Sequence, residues 1–365
     1  MHFAIDGRLL AFGTGGIARY TSCLARAVMP LLGRDRLTML RSRRQSAEAL
    51  AGLSSQPLWT PPHHRLEQVT LPLEVGRIGP TLLHSPDFVP PLRRTFKSVI
   101  TVHDVGFLKY PETLTPASRD YYQQTVQAVR NAEATIAVSW NTARDVCEVA
   151  GTAADRLWVI HNGVEARFAD PVSDAQMNAL RAHRGLEAPY VLYVGTIEPR
   201  KNLITLLRAC ARARERLGLR LVIAGRRGWL YEPFFEAVRE LKLAEHCTVI
   251  EDLTDAELPV LYRGASVFVY PSLYEGFGLP ALEAMAGGTP TVVSDNSSLP
   301  EVVGDGALLF ETLDADSLAH EMERAIHDTA LRSRLSAAGR ARAATFTWER
   351  AARQTLRLYR AVGGT

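Results

Sequence analysis

The sequence predicts an α/β protein built from two doubly wound domains, each with a parallel sheet. Three observations carry that expectation. Short apolar runs alternate with helix-like segments along nearly the whole chain, the pattern of a parallel sheet covered on both faces. The chain has 365 residues, more than one ordinary core accommodates. A polar stretch at 169–188, with a short helical segment at 173–183 and Pro189 behind it, separates two series of strands. The expected domains are therefore 1–170 and 171–347, with a terminal helix after them.

The first strand, 3–5, follows the N-terminal Met-His directly, without the layout of a signal peptide. A glycine-rich loop comes next, Phe12-Gly13-Thr14-Gly15-Gly16, and a helix starts at Ile17. Glycines permit close backbone approach, and the free N–H groups of a helix start favour an anion of phosphate size. The loop is equally readable as a structural turn, and it matches neither the Rossmann fingerprint nor a Walker loop. Further strands are expected at 37–40, 82–84, 98–102, 135–138 and 157–160. His103 follows the strand at 98–102, at a carboxyl end where open α/β sheets bind ligands. His63, His64 and His84 carry no partner pattern and read as structural.

Strands of the second half are expected at 190–194, 219–224, 247–250, 267–270 and 291–294. After the first of these comes Glu198-Pro199-Arg200-Lys201-Asn202. Two adjacent cations at a helix start oppose the helix dipole, and a bound diphosphate would resolve that conflict. After the strand at 267–270, Pro271 stops the ladder and Glu275-Gly276-Phe277-Gly278-Leu279-Pro280 turns into a helix that carries Glu283. Two carboxylates eight residues apart, one in the loop and one a turn into the helix, suit the hydroxyls of a polyhydroxylated ligand whose anionic part rests on the helix N-terminus. Asp314-Ala315-Asp316 reads as a helix N-cap and no metal site is expected. The final segment, 348–362, is amphipathic through Trp348, Ala351, Ala352, Leu356 and Tyr359.

With 47% apolar and 22% charged residues, the composition is that of a soluble globular protein. No apolar run approaches the ~20 residues needed to span a bilayer. The four cysteines are scattered without metal-ligand spacing and read as reduced thiols of a cytoplasmic protein. Net charge is only +3, yet residues 1–100 hold thirteen Lys/Arg against six Asp/Glu, including Arg41, Arg43 and Arg44. That excess is either a solvated helix face or a surface that approaches an acidic acceptor or anionic lipid head groups on the inner face of the membrane. Nucleic acid is not expected, because no binding motif accompanies the charge.

Taken together, Gly-Thr-Gly-Gly-Ile-Ala-Arg-Tyr (13–20), Val-His-Asp (102–104), Ile-His-Asn-Gly-Val (160–164), Gly-Thr-Ile-Glu-Pro-Arg-Lys-Asn (195–202) and the Glu275–Glu283 pair resemble the retaining GT-B glycosyltransferases of family 4 (group 1), especially bacterial mannosyltransferase-like members. The resemblance covers nearly the whole chain. It implies two Rossmann-like domains facing across a cleft, with the helix at 348–365 returning to the N-terminal, acceptor-binding domain. It implies that Arg200 and Lys201 hold the donor diphosphate, helped by the backbone at Gly15 and Gly16. Glu283 would bind the ribose, and Leu253 would lie by the base. Glu275 would hold the transferred sugar with the backbone of Gly276, Phe277, Gly278 and Leu279, and His103 would lie near the reacting carbon. The implied reaction moves a hexose, most closely mannose from GDP-mannose, to a hydroxyl of a glycan or lipid-linked acceptor. It proceeds without cofactor or metal, by a front-side mechanism. UDP-glucose or another nucleotide sugar as donor, and an epimerase on the same frame, remain as alternatives. Loops at 60–79 and 109–120 would shape the acceptor site.

Overall fold

The computed structural model describes residues 1–11, 15–46, 50, 52–64, 66–87, 89–111, 123–186, 189–218 and 220–364. Its contacts divide the chain into two units, Met1–Gly163 with Phe346–Thr365, and Val164–Thr345.

In the first unit the strands are β1 (His2–Asp6), β2 (Arg36–Ser42), β3 (Ser55–Leu58), β4 (Leu82–Ser85), β5 (Lys97–Val102), β6 (Ala134–Ala137) and β7 (Leu157–Val159). They form one sheet in the order β3-β2-β1-β4-β5-β6-β7. Every pairing is parallel. Central strands are buried from end to end, as expected when helices cover both faces: all four residues of β4 and of β6 are buried, the polar His84 and Ser85 included.

The second unit holds β8 (Tyr190–Val194), β9 (Arg220–Ala224), β10 (Cys247–Ile250), β11 (Val267–Tyr270), β12 (Thr291–Ser294) and β13 (Leu308–Phe310). Their order is β10-β9-β8-β11-β12-β13, again parallel throughout. Two doubly wound parallel-sheet α/β units are thus the observed architecture.

Two strands have no counterpart in the sequence expectation, and both are edges. β3 carries Pro57, whose missing N–H is tolerated on an outer strand, and two of its four residues are exposed. β13 has three residues, one of them exposed. Strands packed on only part of their surface lack the continuous apolar run that marks the buried ones.

The final helix, Trp348–Gly363, starts where the Thr347 hydroxyl accepts from the Arg350 N–H at 3.1 Å. Its Ala351, Ala352, Leu356, Leu358 and Tyr359 join the core of the first unit with Phe3, Leu24 and Val28. The Phe3 and Tyr359 rings lie 5.2 Å apart. Among the described residues no helix is long and apolar enough to cross a membrane.

In each sheet the strand order reverses at one place, between β1 and β4 in the first and between β8 and β11 in the second. Ligands of open α/β sheets bind outside the carboxyl ends of strands at such a switch point. The loops that leave β8 and β11 are those that carry Arg200, Lys201 and Glu275.

Candidate active site

The loop after β8 is held close to its neighbour. The Gly195 N–H donates to the Ala224 carbonyl at 2.9 Å. A Cβ on Gly225 would stand 1.9 Å from the Gly195 carbonyl oxygen, so only glycine fits there. Pro199 then opens a single 3-10 turn, Pro199–Lys201, and Asn202 ends it in the left-handed region at φ 53°. The Asn202 amide donates to the Pro271 carbonyl at 3.0 Å, and the Leu273 N–H donates to the Arg200 carbonyl at 2.8 Å. The β8 and β11 loops are therefore tied together at Arg200 itself and at Asn202, just beyond Lys201.

The side chains converge in the same place. Lys201 is 7% exposed, and its Nζ donates to Glu275 Oε1 at 2.5 Å and to the Tyr270 hydroxyl at 3.4 Å. Half-buried Arg200 donates through Nη1 to the Tyr274 carbonyl at 2.8 Å and through Nη2 to Glu198 Oε1 at 3.2 Å. Its guanidinium also lies 3.8 Å from Glu275 Oε2. Burial on its own would push the Glu275 carboxyl up, but Lys201 and then Arg200 outweigh it and hold the group below its ordinary value, so it is a carboxylate. Burial, and then the Glu275 carboxylate, pushes the phenols of Tyr270 and Tyr193 far up, with Glu198 adding to the effect on Tyr193, so both are neutral. The two rings stack with centroids 6.0 Å apart, and Lys201 Nζ lies 5.5 Å from the centroid of the Tyr270 ring.

The conflict expected of two cations at a helix start is thus resolved within the chain. Arg200 and Lys201 precede the helix Leu203–Leu217 in a separate turn, and Glu198 and Glu275 neutralise them. An anion is not needed to explain their placement. What the arrangement supplies is a cation pair already fixed at the switch point, in partial burial where its field is strong.

Beyond Glu275 the chain turns through Gly276, Phe277 and Gly278 into the helix Leu279–Gly287. Gly278 has φ 96°, and a Cβ on it would lie 2.6 Å from Leu299 Cδ2. Ser298 Oγ donates to the Glu275 carbonyl at 2.9 Å and the Glu275 N–H donates to Ser297 Oγ at 3.0 Å, which fixes the turn's entrance. Glu283, buried in the helix, accepts from the Tyr262 hydroxyl at 2.9 Å. Leu253 is half-buried in the loop after β10, at the carboxyl end of the same sheet.

The first unit places Gly15, Gly16 and His103 around its own switch point. Helix Gly16–Val28 begins just beyond Gly15, whose φ of −66° any residue could adopt. Among the described residues, a Cβ on either glycine would meet nothing within 4 Å. Open space beside a helix start is what close approach of a ligand requires. Residues 12–14 of this loop, and most of the expected acceptor loop at 109–120, lie outside the described residues.

His103 leaves the end of β5 and stacks edge-on against Tyr20, centroids 4.7 Å apart. Its Nε2 donates to the Pro86 carbonyl at 2.9 Å, and burial holds its pKa below the ordinary value. A neutral ring with the proton fixed on Nε2 leaves Nδ1 as an acceptor.

Sequence reasoning did not identify Tyr270, Tyr262, Tyr20 or the Pro86 carbonyl as partners of these groups, because each reaches its target across the fold. Glu198 stood in the motif itself and could have been found there. His63 also gained a partner, since its Nε2 pairs with Asp87 beside the buried Arg8–Asp6–Glu67 cluster. Asp314 caps the helix Ala315–His327, accepting from the N–H groups of Asp316 at 2.8 Å and Ser317 at 3.1 Å. Among the described residues no three His, Cys, Asp or Glu side chains are grouped to hold a metal ion.

Known proteins share both the sequence pattern and the fold. Residues 179–342 match the family described as Glycosyl transferases group 1, and residues 14–168 match Glycosyltransferase Family 4. The O-antigen chain mannosyltransferase B of Escherichia coli is 32% identical over 283 residues, covering 76% of this chain and 74% of that protein. The serotype-specific mannosyltransferase WbdA of Escherichia coli is 28% identical over 95% of this chain, which spans only 46% of WbdA. The solved structure of sucrose-phosphate synthase from Thermosynechococcus elongatus superposes with a TM-score of 0.81 at 23% identity, covering 100% of this chain and 99% of that one. Both halves of the chain match, and so does the fold of the two sheets: the chain belongs to the group 1 glycosyltransferases of family 4, and it is a hexosyltransferase of the GT-B fold.

Proposed function

We propose that this glycosyltransferase moves mannose from GDP-mannose to a hydroxyl of a polysaccharide or lipid-linked glycan, with retention of configuration and without a metal ion. The observation that carries the reading is the preformed cluster of Arg200, Lys201 and Glu275 at the switch point of the second sheet. The mannosyltransferase relatives support mannose as the sugar.

In this reading the donor's diphosphate lies against Arg200 and Lys201. The bond between the sugar's anomeric carbon and the β-phosphate oxygen breaks, and the electron pair stays on the phosphate. The acceptor oxygen bonds the same face of that carbon, and its proton passes to the departing phosphate. Cations already in place stabilise the charge as it develops, without reorganisation. No protein nucleophile takes part. Glu275 stays ionised and fixes both Lys201 and the sugar's hydroxyls, with the backbone of the 276–279 turn beside it. Glu283 reads the ribose, and Leu253 packs by the base.

A thermal-shift screen over GDP, UDP, ADP and their sugars tests the donor. Melting is expected to rise with GDP and GDP-mannose alone, by a binding free energy that grows with the logarithm of ligand concentration. The rise should shrink sharply in Glu283→Ala. A shift with UDP and UDP-glucose instead would overturn the base assignment, and an unchanged shift in Glu283→Ala would overturn the ribose role. Transfer is also expected to persist in EDTA. Activity abolished by the chelator and restored by a divalent ion would refute the metal-free step.

A further inference from the structure

In the second unit a cavity of about 510 Å³ opens at the amino ends of β11 and β12, where Ala265 and Pro290 lead into the two strands. Those strands run parallel, and the turn that carries Glu275 leaves the opposite, carboxyl end of β11. The cavity is therefore separate from the cation pair of the active site. Three arginines line it: Arg263, near the end of helix Glu257–Gly264, and Arg332 and Arg340 on helix Thr329–Ala343. Among the described residues no acidic side chain lines it.

A structural role accounts for one of these cations. Arg263 donates through Nη1 to the Gly287 carbonyl, at the end of helix Leu279–Gly287, where a positive charge is favoured. Arg340 is drawn onto the same oxygen, its Nη2 at 3.4 Å, a long bond to an acceptor already engaged. The Arg340 guanidinium fills the space beside Gly288, whose φ is 76° and where a Cβ would stand 2.2 Å from Nη2. Arg332 donates to the Ile326 carbonyl, also at 3.4 Å. Burial, and then Arg340, lower the pKa of Arg263, so the neighbouring guanidinium works against its charge. Among the described residues none of the three pairs with a carboxylate, whereas Arg184 and Arg200 of the same unit each pair with a glutamate.

We propose that this cavity binds the phosphate monoester of a small hydroxylated molecule. A dianionic phosphate suits three cations better than a carboxylate does, because guanidinium groups present paired N–H donors to its oxygens. The volume exceeds that of a bare phosphate, and Ser333 and Ser336 line the same wall with hydroxyls that can bond the organic part. Among the described residues no aromatic ring lines the cavity for a base to stack on, which favours a sugar or polyol phosphate over a nucleotide. The bound phosphate would neutralise the two guanidinium groups that converge on Gly287.

Calorimetric titration of the full chain with inorganic phosphate and with a hexose 6-phosphate, at constant ionic strength, tests it. Both are expected to bind, the ester more tightly. Arg332→Ser with Arg340→Ser should weaken both by about tenfold or more while transfer activity persists. Arg200→Ala, in the donor cluster, should leave this binding in place. If the double variant melts early, Arg332→Ser alone carries the test, with a smaller loss of affinity at the wild-type melting temperature. A wild-type chain that binds neither ligand overturns the inference, as does binding that survives unchanged in the folded cavity variants or that Arg200→Ala abolishes instead. Inorganic phosphate bound as tightly as the ester overturns the assignment to a monoester. A chain that ignores both soluble ligands yet pellets with phosphatidylglycerol vesicles also overturns it, because the phosphate is then a lipid's.

Discussion

Replacing both cations, Arg200→Ala with Lys201→Ala, is expected to lower kcat by about a hundredfold or more at saturating donor. The two groups flank Glu275 at 3.8 and 2.5 Å, so the variant removes the charge that would meet the leaving diphosphate and also strips Glu275 of its partners. Breaking a buried ion pair from one side costs on the order of 3–5 kcal/mol, because the remaining charge is left uncompensated. Melting temperature must therefore be followed alongside rate. Arg200→Ala alone is the cleaner probe, since Arg200 is partly exposed and bonds chiefly to the Tyr274 carbonyl and Glu198. It should lose rate by a decade or more while keeping its fold. Lys201→Arg should recover stability better than Lys201→Ala. A folded double variant with full activity would show that the diphosphate is bound elsewhere.

Acid is expected to loosen the first unit well before carboxylates protonate. His84 is fully buried, with Nδ1 2.6 Å from the Tyr359 hydroxyl and Nε2 2.7 Å from Thr101 Oγ1. Burial, with a small contribution from neighbouring His103, lowers its pKa from 6.5 to about 3. The folded pKa lies below the unfolded one, so between these values the unfolded chain binds a proton that the folded chain does not. Stability is complete above about pH 6.5 and falls as pH drops toward 3, by at most about 1.4 kcal/mol per pH unit, or roughly 5 kcal/mol in all. His103 and His2, shifted the same way, steepen the slope, while His63, which Asp87 raises against its burial, opposes it. Glu275, held below its ordinary 4.5, adds its own loss only at lower pH. Calorimetry between pH 7 and 5 should show the transition of the first unit moving down while that of the second hardly moves. In His84→Gln that slope should flatten markedly, and an unchanged slope would remove His84 as its cause.

Much of the fold was legible in the sequence, because a strand buried on both faces is apolar along most of its length. Runs such as Val-Ile-Thr-Val before His103 and Val-Phe-Val-Tyr before Pro271 became β5 and β11. The edges were not legible, since Ser-Gln-Pro-Leu of β3 packs on few sides and carries no period. Much of the site was legible for a different reason. Arg200-Lys201 and Glu275 to Glu283 each sit just past a strand, where a parallel sheet gathers its ligand groups. Who partners whom was not legible. Lys201 meets Glu275 across 74 residues, and Glu283 meets Tyr262 across 21, because the folded sheet brings together loops that no local pattern links.

The hydrogen bond from His84 to Tyr359 spans 275 residues. The first unit takes its core from both ends of the chain, whereas the second is complete within Val164–Thr345. During synthesis the middle unit therefore has all its contacts available before the first does. Closing the first core means joining segments of very large sequence separation, which is the entropically slow kind of contact. The helix that finishes that core, Trp348–Gly363, is made after every strand of the second unit, so the first core can close only after the second unit's chain has been synthesised.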